Sequence, residues 1–180
     1  MRTGGRHDCR VNTCPGCGVE LPADDSLPAG SRYRASPECQ HLCGEVAAYT
    51  SQQQALLGPW HQTCVDAYGG QHSGPDTPAI TIAFALNGLY LVLERGLSGY
   101  QVREAHSYLA SAVDSWPRLT PPDSVGEVTV LDVALASSPE EHTVLVQRWG
   151  RSVWTAWRHV HDEVAAMTDA QLRGWRPRQS

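Results

Sequence analysis

The chain has 180 residues, a net charge of -5, and hydrophobic and charged fractions of 41% and 18%, which suits one compact domain and excludes a disordered chain. The charge is spread along the chain and no basic stripe carries interleaved aromatics, so no nucleic-acid partner is expected. The 14 basic residues are all arginine, which excludes lysine Schiff-base chemistry, pyridoxal phosphate attachment and a Walker A loop.

From Met1 to about Arg34 the sequence is rich in Gly, Pro, Asp and Cys and has no apolar period. That predicts a loop ordered by something other than a core, and a metal would serve. The stretch Met1 to Cys9 contains no apolar run of the kind a secretory signal needs, so a cytoplasmic location is expected and the six cysteines are expected to stay as thiols. The expected organisation is a single all-α domain of about five or six helices, with residues 1–34 as a metal-knuckle loop and 35–175 as a helical body.

Ser36-Pro37-Glu38 supplies a cap, a proline at the first helical position and an early acid, predicting a helix to about Leu57 that ends at Gly58-Pro59. A short helix from about Trp60 to Tyr68, stopped by Gly69-Gly70, follows. Ala79 to Leu93 is apolar on nearly every side but shorter than the roughly 20 residues of a membrane span. It is expected to be the central buried helix, with no membrane partner. Ser98 or Gly99 opens a helix to about Ser115, and a Pro-rich loop runs from Trp116 to Ser124. Thr129, with Asp132 three residues on, predicts a small helix to Ala136 in preference to a strand over 125–130. Ser138-Pro139-Glu140-Glu141 opens the longest predicted helix, to about Met167, whose apolar face carries Trp149, Val153, Trp157, Val160 and Val164.

Cys14-Pro15-Gly16-Cys17-Gly18 is the strongest chemical signal. Two thiolates two residues apart reach one ion, the tight turn aims backbone N–H groups at the sulfurs, and Gly18 can take the positive φ the turn demands. Zinc is the expected ion. Cys39 is the expected third ligand, because the first turn of its helix favours a thiolate. The spacing leaves Cys43, Cys9, His61 and His72 open as the fourth. A thioredoxin-like redox pair lacks the surrounding strand–helix–strand unit, and haem is not expected because Cys-x-x-Cys is not followed by His. Farther on, His61, Asp66, Tyr68, Gln71 and His72 lie within twelve residues of one another, and His161 lies on the last long helix beside Trp154 and Trp157. Imidazole, phenol and carboxyl groups together suit proton transfer around a pocket.

Four motifs, Cys-Pro-Gly-Cys-Gly at 14–18, Ser-Pro-Glu-Cys at 36–39, Val-Asp-Ala-Tyr-Gly-Gly-Gln-His at 65–72 and Val-Trp-Thr-Ala-Trp at 153–157, resemble those of a family of small bacterial proteins known only as a domain of unknown function. The resemblance covers Cys14 to about Val164. It implies metal binding, with Cys14, Cys17, Cys39, His72 and His161 belonging together. The chain departs from the pattern at Gln40, where such proteins tend to have tryptophan, and at Ala85, where histidine is expected, which implies an altered pocket and a role in specialised metabolism.

Two functions follow. The first is a metal-dependent enzyme acting on a small-molecule substrate, with His61, Asp66, Tyr68, Gln71 and His161 as catalytic residues and Cys14, Cys17, Cys39 and His72 as metal ligands. The second is a zinc-stabilised binding or regulatory module without chemistry of its own. The excess of polar residues over what a structural zinc requires tilts the reading toward the enzyme, with no reaction class assigned and the oligomeric state left open.

Overall fold

The computed structural model describes residues 10–28 and 33–177. In chain order its elements are β1 (Val11–Thr13), β2 (Glu20–Pro22), α1 (Pro37–Gln52), α2 (Gln54–Gln71), α3 (Ala79–Leu93), α4 (Gly99–Ala112), α5 (Val130–Ala134), α6 (Pro139–Ala156), a 3-10 turn at Arg158–Val160 and α7 (His161–Gln171). The fold is mostly helical, as the sequence pattern predicts. Among the described residues no helix is long and apolar enough to cross a membrane.

Local chemistry sets the helix starts. Ser36 Oγ accepts from Cys39 N at 3.2 Å, Ser138 Oγ accepts from Glu141 N at 3.2 Å, and Pro37 and Pro139 each occupy the first helical turn. Asp132 Oδ2 accepts from Thr129 N at 2.7 Å, which selects the small helix α5 over a strand. These side chains take backbone N–H groups that have no partner inside the helix. α3 matches the apolar run Ala79 to Leu93 residue for residue.

Packing decides the helix ends, and three expectations change. α1 stops at Gln52 and α2 runs through Gly58-Pro59 and Gly69-Gly70 without a break. Pro59 sits in the second turn of α2, where the loss of one hydrogen bond is offset by the fully buried Leu57. Gly70 is a contact residue and not a terminator: a Cβ there would lie 2.9 Å from Val153 Cγ1 of α6. The predicted helix from Ser138 to Met167 is broken at Trp157, whose N–H is shared between Val153 O (3.2 Å) and Trp154 O (3.0 Å), tightening the chain into the 3-10 turn.

The centre also differs from expectation. α2, not α3, is the hub, packing against α1, α3, α4 and α6. Six of its buried residues, Gly58, Thr63, Cys64, Ala67, Gly69 and Gly70, are small, which lets neighbouring helices approach its axis closely. The Trp149–Val164 face is buried as its periodicity requires, but α6 lies mainly on α2 and less on α3. Within the segment expected to be loop, β1 and β2 pair antiparallel with Val11 opposite Pro22 and Thr13 opposite Glu20.

One side chain joins three parts of this assembly. Gln71, fully buried at the end of α2, donates through Nε2 to Val125 O (3.3 Å) and Val128 O (2.8 Å), and its Oε1 accepts from Trp149 Nε1 at 2.9 Å. Replacing it strands Trp149 Nε1 in the core and removes the donor that ties down the two loop carbonyls. Gln71→Leu is expected to lower the free energy of unfolding by about 2–4 kcal/mol, measured by urea denaturation. A change near zero would mean that the amide does not hold the loop.

Candidate metal centre

The Cys-Pro-Gly-Cys-Gly sequence forms the tip of the β1–β2 hairpin. Cys14 N donates to Val19 O at 2.8 Å and Gly18 N donates to Cys14 O at 2.9 Å, while Gly18 has the φ of 76° that the turn requires. The hairpin is anchored on α1 through Glu38, whose Oε1 accepts from Asn12 Nδ2 (2.8 Å) and Asp24 N (3.2 Å). Glu38 read as an ordinary first-turn acid in the sequence, because its partners come from the other side of the knuckle.

α1 and α2 fold back on one another, so the first turn of α1 and the last of α2 meet at the same end. Arg34 N donates to His72 O at 2.8 Å across this junction. Cys39 enters from α1 and His72 from the C-terminal cap of α2. The ligand atoms of Cys14, Cys17, Cys39 and His72 all lie within 4.8 Å of one another, an arrangement able to hold a metal ion. Cys17 Sγ and Cys39 Sγ are 3.8 Å apart, and Cys39 Sγ and His72 Nε2 are 3.3 Å apart. Gly16 makes room for this, since a Cβ on it would lie 2.2 Å from Arg34 O and 2.6 Å from His72 Cδ2.

His72 is held on its other side as well. Its Nδ1 donates to Tyr68 O at 2.9 Å, which leaves Nε2 toward the sulfurs, and its ring stacks on Tyr68 at 4.0 Å between centroids. The groups influence one another's protons. Hydrogen bonds from Cys17 and Cys39 lower the pKa of Cys14, and the bond to Cys14 raises that of Cys39. Burial alone would lower the His72 pKa, but the Cys14 and Cys17 sulfurs override it and raise it to about 9.

The other candidates for a fourth ligand lie elsewhere or outside view. Cys43 is one turn along α1 and outside the cluster, its pKa pushed up to about 12 by burial. His61 is eleven residues before His72 on α2, about 16 Å along the axis, with Nδ1 3.4 Å from Ser51 Oγ. Cys9 falls outside the described residues.

The residues predicted to share a catalytic pocket are dispersed. His61 faces Ser51, Tyr68 backs the metal cluster, and Gln71 is used up in the core. Asp66 is buried against α3, where its Oδ2 occupies the space of a Cβ on Gly88, 1.9 Å from that position. His161 stacks on Trp154 at 3.8 Å and donates from Nε2 to Trp154 O at 2.8 Å, so it does not join Cys14, Cys17, Cys39 and His72 as the resemblance implies. Proximity in sequence grouped these residues. On a helix each successive residue turns by about 100°, which sends Asp66 to α3 and Gln71 to Trp149, while Tyr68 and His72, four apart, share a face and stack. His106 of α4 had no sequence signal, yet it lies across from Asp66 in a pocket between α2, α3 and α4.

Residues 12–158 match the model of a family of unknown function (DUF5946), and the chain belongs to that family. No curated protein and no solved structure matches it.

Two outcomes are expected. Gly16→Ala should speed the reaction of the buried Cys14 and Cys39 thiols with a disulfide reagent by about tenfold or more, because overpacking by about 1–3 kcal/mol opens the junction; an unchanged rate would mean that the contact is slack. For Asp66, burial raises the folded-state pKa, so the protonated form stabilises the fold below the unfolded pKa of about 4 and that stability is lost as pH rises toward the folded value. Asp66→Asn should therefore gain stability over the native chain as pH rises from 4 to 7. Parallel pH–stability curves would contradict this.

Proposed function

We propose that this chain is a zinc-stabilised helical binding module, in which Cys14, Cys17, Cys39 and His72 hold the ion and the ion clamps the hairpin onto the junction of α1 and α2. The observation that carries the reading is the completeness of the donor set: four protein ligand atoms within one ion's reach, with Cys14, Cys39 and His72 at most 1% exposed. A structural zinc takes four protein ligands, whereas a catalytic one leaves a position for water or substrate.

The spacing suits zinc. A tetrahedron with Zn–S of about 2.3 Å and Zn–N of about 2.0 Å has S···S edges of about 3.8 Å and S···N edges of about 3.5 Å. The separations of 3.8 Å and 3.3 Å at Cys39 are of that size. The bond from His72 Nδ1 to Tyr68 O supplies the outer support that fixes tautomer and ring orientation in such sites. When bound, the ion would contribute folding free energy to a hairpin too small to order itself. Thiolate ligands of this kind call for a reducing compartment such as the cytoplasm.

The enzyme reading has less support. His61, Tyr68, Gln71 and His161 point to separate parts of the molecule, and all three polar contacts of Gln71 are structural. The module reading needs none of them to react.

The purified, reduced protein is expected to contain one zinc per chain, with X-ray absorption showing three sulfurs and one nitrogen. Cys39→Ser should lose the metal and lower the melting temperature by about 10 °C or more. A metal-free protein whose melting temperature is indifferent to a strong chelator would defeat the reading, and a water ligand at the zinc would return the argument to an enzyme.

A further inference from the structure

Away from the knuckle, α2, α3 and α4 line an open pocket of about 360 Å³. Its walls include Tyr33, Phe84, Ala85 and Ile80, and its polar groups include Asp66, Gln62 and His106. The size and the apolar, aromatic lining are those of a small-molecule site. Two of the polar side chains lack what a buried polar atom requires. Asp66, 3% exposed, accepts from Gln62 Nε2 at 2.9 Å through Oδ1, but its Oδ2 has no hydrogen-bond partner. His106, 9% exposed, bonds the Phe84 backbone, and its Nε2 has no partner.

The chemistry of these two atoms selects the ligand. With the other ring nitrogen donating to the Phe84 backbone, Nε2 of His106 offers a lone pair. Burial lowers the His106 pKa to about 4, so the ring stays neutral and keeps that lone pair. Asp66 Oδ2 is an acceptor once the carboxyl ionises, and a cation alongside is what allows a buried carboxyl to ionise. Among the described residues lining the pocket, Asp66 is the one acid and there is no arginine, so an anion would find no counter-charge. The pocket wall carries the Phe84 and Tyr33 rings, and aromatic rings attract a cation over their faces.

We propose that this pocket binds a small organic cation, a primary ammonium or amidinium group on an apolar body, with Asp66 as its counter-ion and His106 Nε2 as a second acceptor. The site is separate from the metal cluster and stands whether or not zinc is bound there. It gives the module a ligand: the cation's N–H groups enter beside the two side chains whose acceptors lack partners, and the apolar body replaces water against Phe84 and Ile80.

The test uses the full-length, metal-replete protein and three probes of one shape: 2-phenylethylammonium, 2-phenylethanol and phenylacetate. Isothermal titration should show saturable binding of the ammonium at millimolar concentration or below, binding of the alcohol weaker by about tenfold or more, and none of the anion. Asp66→Asn should weaken ammonium binding by about tenfold or more, while metal content stays at the native level. Ala110→Trp, at the exposed mouth of the pocket, should abolish binding without loss of helicity. The proposal is overturned if the ammonium does not bind, if phenylacetate binds as well as the ammonium, or if Asp66→Asn binds the ammonium like the native chain. Metal content reported alongside separates this result from the fate of the zinc reading.

Discussion

The meeting of Cys39 and His72 is the constraint on which the N-terminal third depends. Both lie at helix ends, one in the first turn of α1 and one at the cap of α2, and they come within 3.3 Å because the two helices fold back on each other with nearly equal lengths of 16 and 18 residues. The hairpin then needs only to bring Cys14 and Cys17 to a place already prepared. Glu38, bonded to Asn12 and Asp24, and Gly16, without a Cβ to strike Arg34 O, let it do so. A hairpin with three residues in each strand has little surface of its own to bury. Contacts with α1 and α2, and the shared donor cluster, supply what it lacks.

α2 connects that junction to the rest of the molecule. His72 serves the cluster, Tyr68 supports His72, Gln71 ties the loop before α5 to Trp149, and Asp66 faces α3. The polar side chains of this helix reach several different elements because four helices surround it. The small residues that allow such crowding also remove the bulk that would seal every gap, and the Asp66 pocket between α2, α3 and α4 is one of the spaces left.

Buried polarity is treated in two ways here. Gln71 exchanges water for protein partners at both atoms of its amide, and Thr168 Oγ1 donates to Asn87 Oδ1 at 2.7 Å; these bonds tie the core together. Asp66 and His106 make such a bond at one atom each and leave Oδ2 and Nε2 without partners. A buried group left unmatched weakens the fold, and a pocket lined by two such groups points to a ligand that matches them.

Much of the fold and of the metal cluster was legible in the residues themselves. Ser36-Pro37, Thr129 with Asp132, and Ser138-Pro139 determine helix starts, because a cap and a proline act within one turn of chain. The knuckle identified two donors, since two thiols two residues apart are close in any conformation of a tight turn. Cys39 and His72 were nameable as candidates, but the choice of His72 over Cys43 and His61 belonged to the fold, which alone decides which ends of α1 and α2 meet. Tertiary packing likewise overruled the stop signals at Gly58-Pro59 and Gly69-Gly70, where burial against α4 and α6 outweighs local preference. It also dispersed the supposed catalytic residues and brought Asp66 and His106, forty positions apart in sequence, to the lining of one pocket. Short-range chemistry can be read from a string of residues; satisfaction of a buried polar atom cannot, because its partner arrives from another element.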